Sequence, residues 1–165
     1  MGASDITLKT ENGIFNYRVG AIIVDSNEIL MVKNDGSEFY YTVGGRIKFG
    51  ESAHDAIIRE SYEETQIHFE IDRLVYIHEC FFILEGDGEP VHEISLFFKM
   101  MPNANVRRMA SNTFTEDYGN VSFHWLPIND LGRYRLYPEF FKTELLLPSN
   151  EVGYYVTKND KTIKI

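Results

Sequence analysis

The sequence predicts a mixed α+β or α/β fold in which helices cover a mixed β-sheet. Most segments either alternate apolar and polar residues or are rich in aromatic and β-branched residues, and both patterns indicate strands. One helical pattern occurs early, at about residues 52–65, and one or two shorter ones occur within residues 129–147. Because strand–helix–strand units do not repeat along the chain, the order argues against a doubly wound sheet.

The first quarter of the chain predicts strands separated by short turns. The strand patterns cover residues 5–10, 14–25, 29–34 and 39–45. The half of the second strand that reads VGAIIV is apolar throughout, which is typical of a strand buried on both faces. ENG and SNE have turn composition, and NDGSE predicts a polar loop before the aromatic strand FYYTVGG.

The early helix is predicted to begin after Ser52 and to end near Thr65. Ser52 and Asp55 have the spacing of a capping box, with Asp in place of the usual Glu or Gln. A serine cap satisfies backbone N–H groups that the first helical turn leaves without partners. The cap therefore fixes where the helix starts.

The second half predicts more strands and one long loop. The strand patterns cover residues 73–84, 92–101, 121–128, 152–158 and 161–165. Residues 102–120 show no clear periodicity and predict a long loop of the kind that is often functional. Pro138 suits the first turn of a late helix. The single cysteine, Cys80, lies in a strand pattern and is expected to be buried packing.

Composition and charge exclude several classes of protein. The length of 165 residues predicts one domain over residues 1–165. No apolar run reaches the roughly 20 residues of a membrane helix, and one cysteine allows no internal disulfide, so we expect a cytoplasmic protein. The net charge of −9 argues against broad binding to DNA, RNA or an anionic membrane. A homodimer stays open as a partner.

Three carboxylates on the early helix indicate a cation site. Glu60, Glu63 and Glu64 fall within an arc of roughly 100° on a helical wheel, beside small and apolar positions. Like charges at these spacings destabilise a helix by a few tenths of a kcal/mol each, and by more when they are partly buried. Carboxylate oxygens select hard cations such as Mg²⁺, Mn²⁺ or Ca²⁺. The simpler interpretation is a solvated acidic face balanced by Arg59.

The segment before this helix favours the cation site. Gly44 and Gly45 end a strand and allow the backbone to approach a ligand closely. Gly50 and Glu51 close the loop before the helix cap, and the loop between brings Arg46 and a lysine near the acidic residues. Glycines, cations and carboxylates in this order are what a site for a metal and an anionic substrate requires.

The segment from Gly45 to Ile67 resembles the Nudix box, G-x5-E-x7-R-E-U-x-E-E-x-G-U, where U is aliphatic. The matching residues are Gly45, Glu51, Arg59, Glu60, Glu63, Glu64 and Ile67. Ser61 departs from the pattern where an aliphatic residue is usual, and Gln66 departs where Gly is usual. NYRVGAIIV and ILMVK before the box, and FHWLPINDL after it, look like the flanking strands of that fold.

The resemblance implies a Nudix-type α/β/α sandwich and hydrolysis of a nucleoside diphosphate linked to another group. It implies Mg²⁺, with Mn²⁺ as a substitute, held by box carboxylates and a backbone carbonyl. The implied metal-binding residues are Gly44, Gly45, Glu51, Glu60, Glu63 and Glu64. Arg59 is expected to pair with a box glutamate and to fix its direction. Substrate contacts are expected from Arg18, Arg46 and Tyr41.

The general base stays open at this point. The candidates are Glu60 in the box, Glu116 and its neighbour Asp117 in the long loop, and Glu93 as a weaker choice. We take Glu60, Glu64, Arg59 and Glu116 as the catalytic set. His92, beside Glu93, is a further residue that could touch substrate.

Three readings of function are compatible with the box. The first is a Mg²⁺-dependent hydrolase acting on a nucleoside triphosphate, normal or modified, because signatures expected for other substrates are absent near the box. The second is hydrolysis of ADP-ribose or another sugar nucleotide. The third is a catalytically weak Nudix domain that senses a nucleotide. A complete acidic trio with Arg59 favours an enzyme, since a binding module has no need for so costly a cluster.

Overall fold

The computed structural model describes residues 3–84, 86–115, 119–147 and 149–165. Its strands are β1 (Thr7–Thr10), β2 (Gly13–Ile22), β3 (Val24–Asp25), β4 (Glu28–Asn34), β5 (Val43–Arg46), β6 (Ile71–Ile83), β7 (Pro90–Met100), β8 (Asn112–Thr115), β9 (Gly119–Pro127), β10 (Gly153–Lys158) and β11 (Lys161–Lys164). The helices are α1 (Ala53–Thr65), α2 (Phe141–Glu144) and two 3₁₀ helices, Val106–Arg108 and Ile128–Arg133.

The strands form a large mixed sheet and a smaller antiparallel one. The large sheet has the order β1-β2-β7-β6-β10-β11, with β5 also paired to β2. Within it β2 runs parallel to β7 and β6 runs parallel to β10, whereas the remaining pairs are antiparallel. The smaller sheet has the order β3-β4-β9-β8. The predicted mixed α+β class and mixed sheet are therefore confirmed.

Helical residues cover both faces of the large sheet. On one face, Ala56 and Ile57 of α1 are fully buried against residues such as Val19 and Phe98. On the other face, Phe141 packs with other aromatic residues in a second core that includes Phe97, Tyr76 and Tyr155. Each fully buried aliphatic or aromatic side chain contributes about 1.5–3 kcal/mol. Because successive side chains of a strand point to opposite faces, successive residues of β2 and β7 pack alternately into the core beneath α1 and into the aromatic core on the other face.

The start of α1 agrees with the predicted serine cap. Its C-terminal end shows how Gln66 occupies the position where the Nudix pattern usually has glycine. The Ser52 hydroxyl accepts a hydrogen bond from the Asp55 N–H at 3.1 Å, so the predicted cap is confirmed. At the other end Gln66 adopts a left-handed conformation, with φ 59° and ψ 23°. The Gln66 N–H donates to the Tyr62 carbonyl and closes the last turn. A glutamine therefore takes the backbone role for which glycine is usual.

One prediction needs correction. Residues 102–120 are not an irregular loop throughout, because they contain the 3₁₀ helix Val106–Arg108 and strand β8, which pairs with β9. The late region holds two helical segments, the 3₁₀ helix Ile128–Arg133 and the single turn of α2, in agreement with the predicted one or two. Pro138 precedes α2, and its carbonyl accepts from the Phe141 N–H at 3.3 Å. Cys80 is 3% exposed, which confirms that it is buried.

Within the described residues, no helix is both long enough and apolar enough to cross a membrane.

Candidate active site

The site begins where the carboxylate of Glu64 meets the backbone of strand β5. The N–H of Gly44 donates to Oε1 of Glu64 at 3.0 Å, and the glutamate is only 7% exposed. Gly44 has a φ of 149°, and an added Cβ would lie 2.2 Å from the carbonyl oxygen of Val19. A side chain at this position would therefore displace β5 from β2 and move the hydrogen-bond donor away from Glu64.

Glu60 lies against the second glycine. A Cβ built on Gly45 would be 2.5 Å from Oε2 of Glu60 and 2.6 Å from Oε1, so glycine is needed for the carboxylate to fit. Burial raises the pKa of Glu60, although hydrogen bonding and charge from Arg59 oppose the rise. The fold thus holds a desolvated carboxylate against bare backbone, an arrangement that favours a cation nearby.

Arg59 organises the acidic residues around it. Its guanidinium donates to both oxygens of Glu51, at 2.7 and 2.9 Å, and to Glu60 at 2.7 Å. It also donates to Glu63 at 3.1 Å and to the carbonyl of Arg46 at 3.1 Å. These carboxylate partners raise the pKa of Arg59, and its hydrogen bonds are the largest cause of the lowered pKa of Glu51. The predicted pairing of Arg59 with a box glutamate is present.

Glu51 connects this network to the loop before α1. Its Oε2 accepts from the N–H of Lys48 at 3.0 Å while both of its oxygens pair with Arg59. One carboxylate therefore joins the loop to the helix. Glu63 differs from its neighbours because its side chain is 51% exposed and its contact with Arg59 lies at the surface.

The donor atoms at this place suit a hard divalent cation. Glu60 and Glu64 supply carboxylate oxygens beside the backbone of Gly44 and Gly45, and oxygen is the donor atom that hard cations prefer. Among the described residues, no group of three or more Asp, Glu, His or Cys side chains is arranged to hold a metal ion, and Arg59 pairs with both Glu60 and Glu63.

The similarity to a known family is not limited to the glycines, glutamates and arginine of this site, because it covers most of the chain. A family model described as the NUDIX domain matches residues 15–145, which is most of the chain. The chain belongs to the Nudix family. This assignment confirms the resemblance and supports an enzyme of the Nudix hydrolase class.

Solved structures agree with the Nudix fold. The MutT protein of Bacillus halodurans shares 17% identity at a TM-score of 0.64, covering 90% of this chain and 97% of that one. The MutT protein of Methanosarcina mazei shares 20% identity at 0.60, covering 81% and 94%. An ADP-ribose pyrophosphatase of Streptococcus suis shares 16% identity at 0.53, covering 86% and 98%. At these identities the likeness establishes the fold. No curated protein matches the sequence.

Two of the three expected substrate-contacting residues, Arg18 and Arg46, lie on paired strands that both contact α1. Arg18 of β2 is the cross-strand partner of Arg46 of β5. The Arg18 charge is close enough to Glu60 to lower the pKa of that carboxyl in part. Tyr41 precedes β5, and its ring centroid lies 6.0 Å from that of Tyr137. Glu116 and Asp117, the loop candidates for the general base, lie outside the described residues.

His92 and Glu93 are adjacent in the sequence, but their side chains lie on opposite faces of the sheet. Glu93 is 7% exposed and faces Arg18, with 4.0 Å between Oε2 of the glutamate and Nε of the arginine. His92 points to the opposite face of the sheet, where Nε2 lies 2.7 Å from Oε1 of Glu79. Strand alternation explains this separation, which places Glu93 on the same face of the sheet as Arg18 and His92 on the other face.

Two residues near Arg18 escaped prediction from sequence. Asn16 and Ser95 are buried, at 8% and 5% exposure, and both contact Glu93. The available signal was polar residues at alternate positions within apolar strands, Asn16 and Arg18 in one and Glu93 and Ser95 in the other. Such alternation places polar groups on one face of a strand, and an apolar surrounding makes that face a candidate site.

Proposed function

We propose that this Nudix protein hydrolyses a phosphoanhydride bond in a nucleoside diphosphate derivative, with a normal or modified nucleoside triphosphate as its leading substrate. One observation carries the proposal. One buried carboxylate, Glu64, and one partly buried carboxylate, Glu60, lie against the backbone of Gly44 and Gly45, and Arg59 fixes the direction of Glu60. Burying such charges destabilises the fold, and this cost supports a function that involves a cation and an anionic ligand.

The metal of the proposed site is Mg²⁺, with Mn²⁺ as a substitute. Glu60 and Glu64 are the principal proposed ligands, Glu63 and Glu51 are secondary ones, and a carbonyl of Gly44 or Gly45 completes the set. Bound Mg²⁺ supplies charge neutralisation at the phosphate oxygens and lowers the pKa of a coordinated water. Arg59 serves as a positioning residue, because its fork fixes Glu60 and Glu51 in one arrangement.

Proton transfer needs a base that reaches the attacking water. Glu60 is the described candidate, since its carboxylate lies in the glycine-lined part of the site. Glu116, with Asp117 beside it, is the alternative from the loop before β9. Separate Glu60→Gln and Glu116→Gln variants distinguish these assignments: the base variant loses its rate while the pH dependence of the remaining rate flattens.

The rest of the substrate is proposed to lie along β2 and β5. Arg18 and Arg46 provide positive charge for phosphate oxygens, and Tyr41 offers a ring beside Tyr137 for a base to stack on. A net charge of −9 supports a small nucleotide partner rather than DNA or RNA. A single buried cysteine supports a reducing, cytoplasmic setting.

A nucleotide panel tests the proposal. The protein is incubated with Mg²⁺ and each of a set of nucleoside triphosphates, nucleoside diphosphate sugars and ADP-ribose, and the products are separated by chromatography. ADP-ribose is included because the similar Streptococcus suis protein bears that activity in its name. We expect Mg²⁺-dependent turnover, highest for a triphosphate. Tight binding of one nucleotide with no turnover of any would make the protein a sensor.

A further inference from the structure

A buried polar group of five residues lies on the face of the large sheet opposite α1. We call it the sheet-face cluster, and it consists of Asn16 and Arg18 of β2, Glu93 and Ser95 of β7, and His78 of β6. Cross-strand register aligns them, with Asn16 opposite Glu93, Arg18 opposite Ser95 and Ser95 opposite His78. Four of the five are at least nine-tenths buried.

Glu93 is the centre of this cluster and is only loosely held. Among the described residues its carboxylate accepts a hydrogen bond from the Ser95 hydroxyl at 3.2 Å and one from the Asn16 amide at 3.5 Å. The Arg18 guanidinium stands 4.0 Å away. A carboxylate has about four acceptor positions, two on each oxygen, so these contacts leave one on each oxygen for a further donor.

A structural role does not explain so weakly satisfied a charge. A buried ion pair stabilises a fold only with short, well-aligned contacts, and an apolar pair of similar volume is often as stable. A second member of the cluster is also incompletely satisfied, because Nδ1 of His78 has no hydrogen-bond partner among the described residues, although the side chain is 1% exposed. Buried polar groups are nearly always hydrogen-bonded, so groups left incomplete in a buried place need an explanation, and a bound ligand provides one.

The neighbours of the cluster indicate what kind of ligand fits. The ring of Tyr137 lies beside it, with its centroid 5.9 Å from that of His78 and 6.0 Å from that of Tyr41. The charge of Glu93 is the second cause, after burial, of the raised pKa of the Tyr137 hydroxyl. Aromatic rings favour a planar group, and two acceptors on one carboxylate favour two parallel N–H donors.

We infer that Glu93 is a specificity-determining residue for this protein and selects a base whose edge presents two adjacent N–H donors. Guanine has such an edge in its N1–H and 2-amino groups. Hypoxanthine lacks the 2-amino group, and adenine replaces N1–H by an acceptor that the carboxylate repels. The inference rests on the proposed function, because the diphosphate must occupy the Glu60 end of the site for the base to reach Glu93. Arg18 lies between these two parts and contacts Glu93.

The experiment measures binding without relying on turnover. Calorimetry gives the dissociation constants of α,β-methylene guanosine and inosine triphosphates with Mg²⁺, for the wild-type protein and for Glu93→Gln. We expect the wild-type protein to bind the guanosine analogue about tenfold more tightly, the usual discrimination of a bidentate contact. In Glu93→Gln, one acceptor becomes an amide donor, and the two constants should agree within about threefold.

The chain offers a matched control in Glu79→Gln. Glu79 is another strand carboxylate with hydrogen bonds, but it pairs with His92 and Tyr154 on the opposite face. This variant should keep the tenfold preference. Equal weakening of both analogues in Glu93→Gln would overturn the inference, because it would show that Glu93 only orients Arg18. A wild-type preference without hydrolysis of any nucleotide would leave this selection intact and refute the proposed enzyme.

Discussion

At the scale of single residues, the site depends on charged groups that the fold removes from water. The resemblance predicted that Arg59 pairs with a box glutamate, and the sequence was sufficient for this because both residues lie on one helix. It could not predict that Glu93 faces Arg18, since that depends on the pairing and register of β7 with β2. Nor could it predict the loose contacts of Glu93 with Asn16 and Arg18, which lie on a strand distant from it in the sequence.

Replacing Arg59 by lysine tests the network around α1. Lysine keeps the charge but has no planar fork, so it cannot hold both oxygens of Glu51 and also contact Glu60. We expect Arg59→Lys to reduce the free energy of unfolding by about 2 kcal/mol, measured by urea denaturation. It should also weaken Mg²⁺ binding in calorimetry. Unchanged stability and metal affinity would contradict the positioning role of Arg59.

The lowered pKa of the buried His78 predicts that the free energy of unfolding depends on pH. Burial lowers its pKa from an ordinary value of 6.5 to about 4. Between those values the unfolded chain binds a proton that the folded chain does not, so the free energy of unfolding falls as pH drops from about 6.5 to about 4. The loss attributable to this residue is about 3 kcal/mol at most.

The measurement is urea denaturation at pH 7 and at pH 4.5, for the wild-type protein and for His78→Gln. Glutamine cannot take up the proton, so the variant should lose less stability between the two pH values. An identical loss in both proteins would show that His78 does not control the acid sensitivity.

At the scale of elements, α1 carries the two departures from the Nudix pattern. The sequence predicted its bounds closely, because the Ser52 cap and the apolar spacing are local features. Its C-terminal end was less predictable, since glutamine rarely adopts the left-handed conformation that Gln66 has. Strand β8 was missed for a related reason: Asn112–Thr115 is short and polar in part, and only its pairing with β9 makes it a strand.

Ser61 is expected to destabilise the helix. It is fully buried, and its hydroxyl has no hydrogen-bond partner among the described residues. Ser61→Ala removes this buried polar group and adds helix propensity, so the free energy of unfolding should rise by about 1–2 kcal/mol. Thermal or urea unfolding measures the change. A loss of stability would mean that the hydroxyl has a partner, such as a buried water, which the protein needs.

Variants of Gln66 test how much stability the protein loses by placing a glutamine in the left-handed conformation. Gln66→Gly relieves a conformation that costs a side-chain-bearing residue about 1–2 kcal/mol. It also removes the amide hydrogen bonds to the carbonyls of Tyr62 and Glu63. Because those bonds are exposed, we expect a net gain of about 1 kcal/mol in urea unfolding. The control Gln66→Ala keeps the strained backbone and loses the bonds, so it should be less stable than the wild type.

At the scale of the whole molecule, the site joins a local motif to a non-local surface. Residues 44–67 form the glycine and carboxylate part within one stretch of sequence, which is why the motif alone predicted it. The sheet-face cluster needs β2, β7 and β6 side by side, and its Asn16–Glu93 contact spans 77 residues. Periodicity predicts each strand but not its partners, so the class of the fold could be predicted and the strand order could not.

The most direct test of the account is the rate of Mg²⁺-dependent nucleotide hydrolysis by Glu64→Gln beside the wild-type protein. The amide can still accept from the Gly44 N–H, so the fold should be retained and its thermal unfolding should be close to wild type. Removing one charged metal ligand should lower the rate at least about 100-fold. A folded Glu64→Gln protein that hydrolyses nucleotide at the full rate would contradict the assignment of the α1 carboxylates as the metal-binding centre.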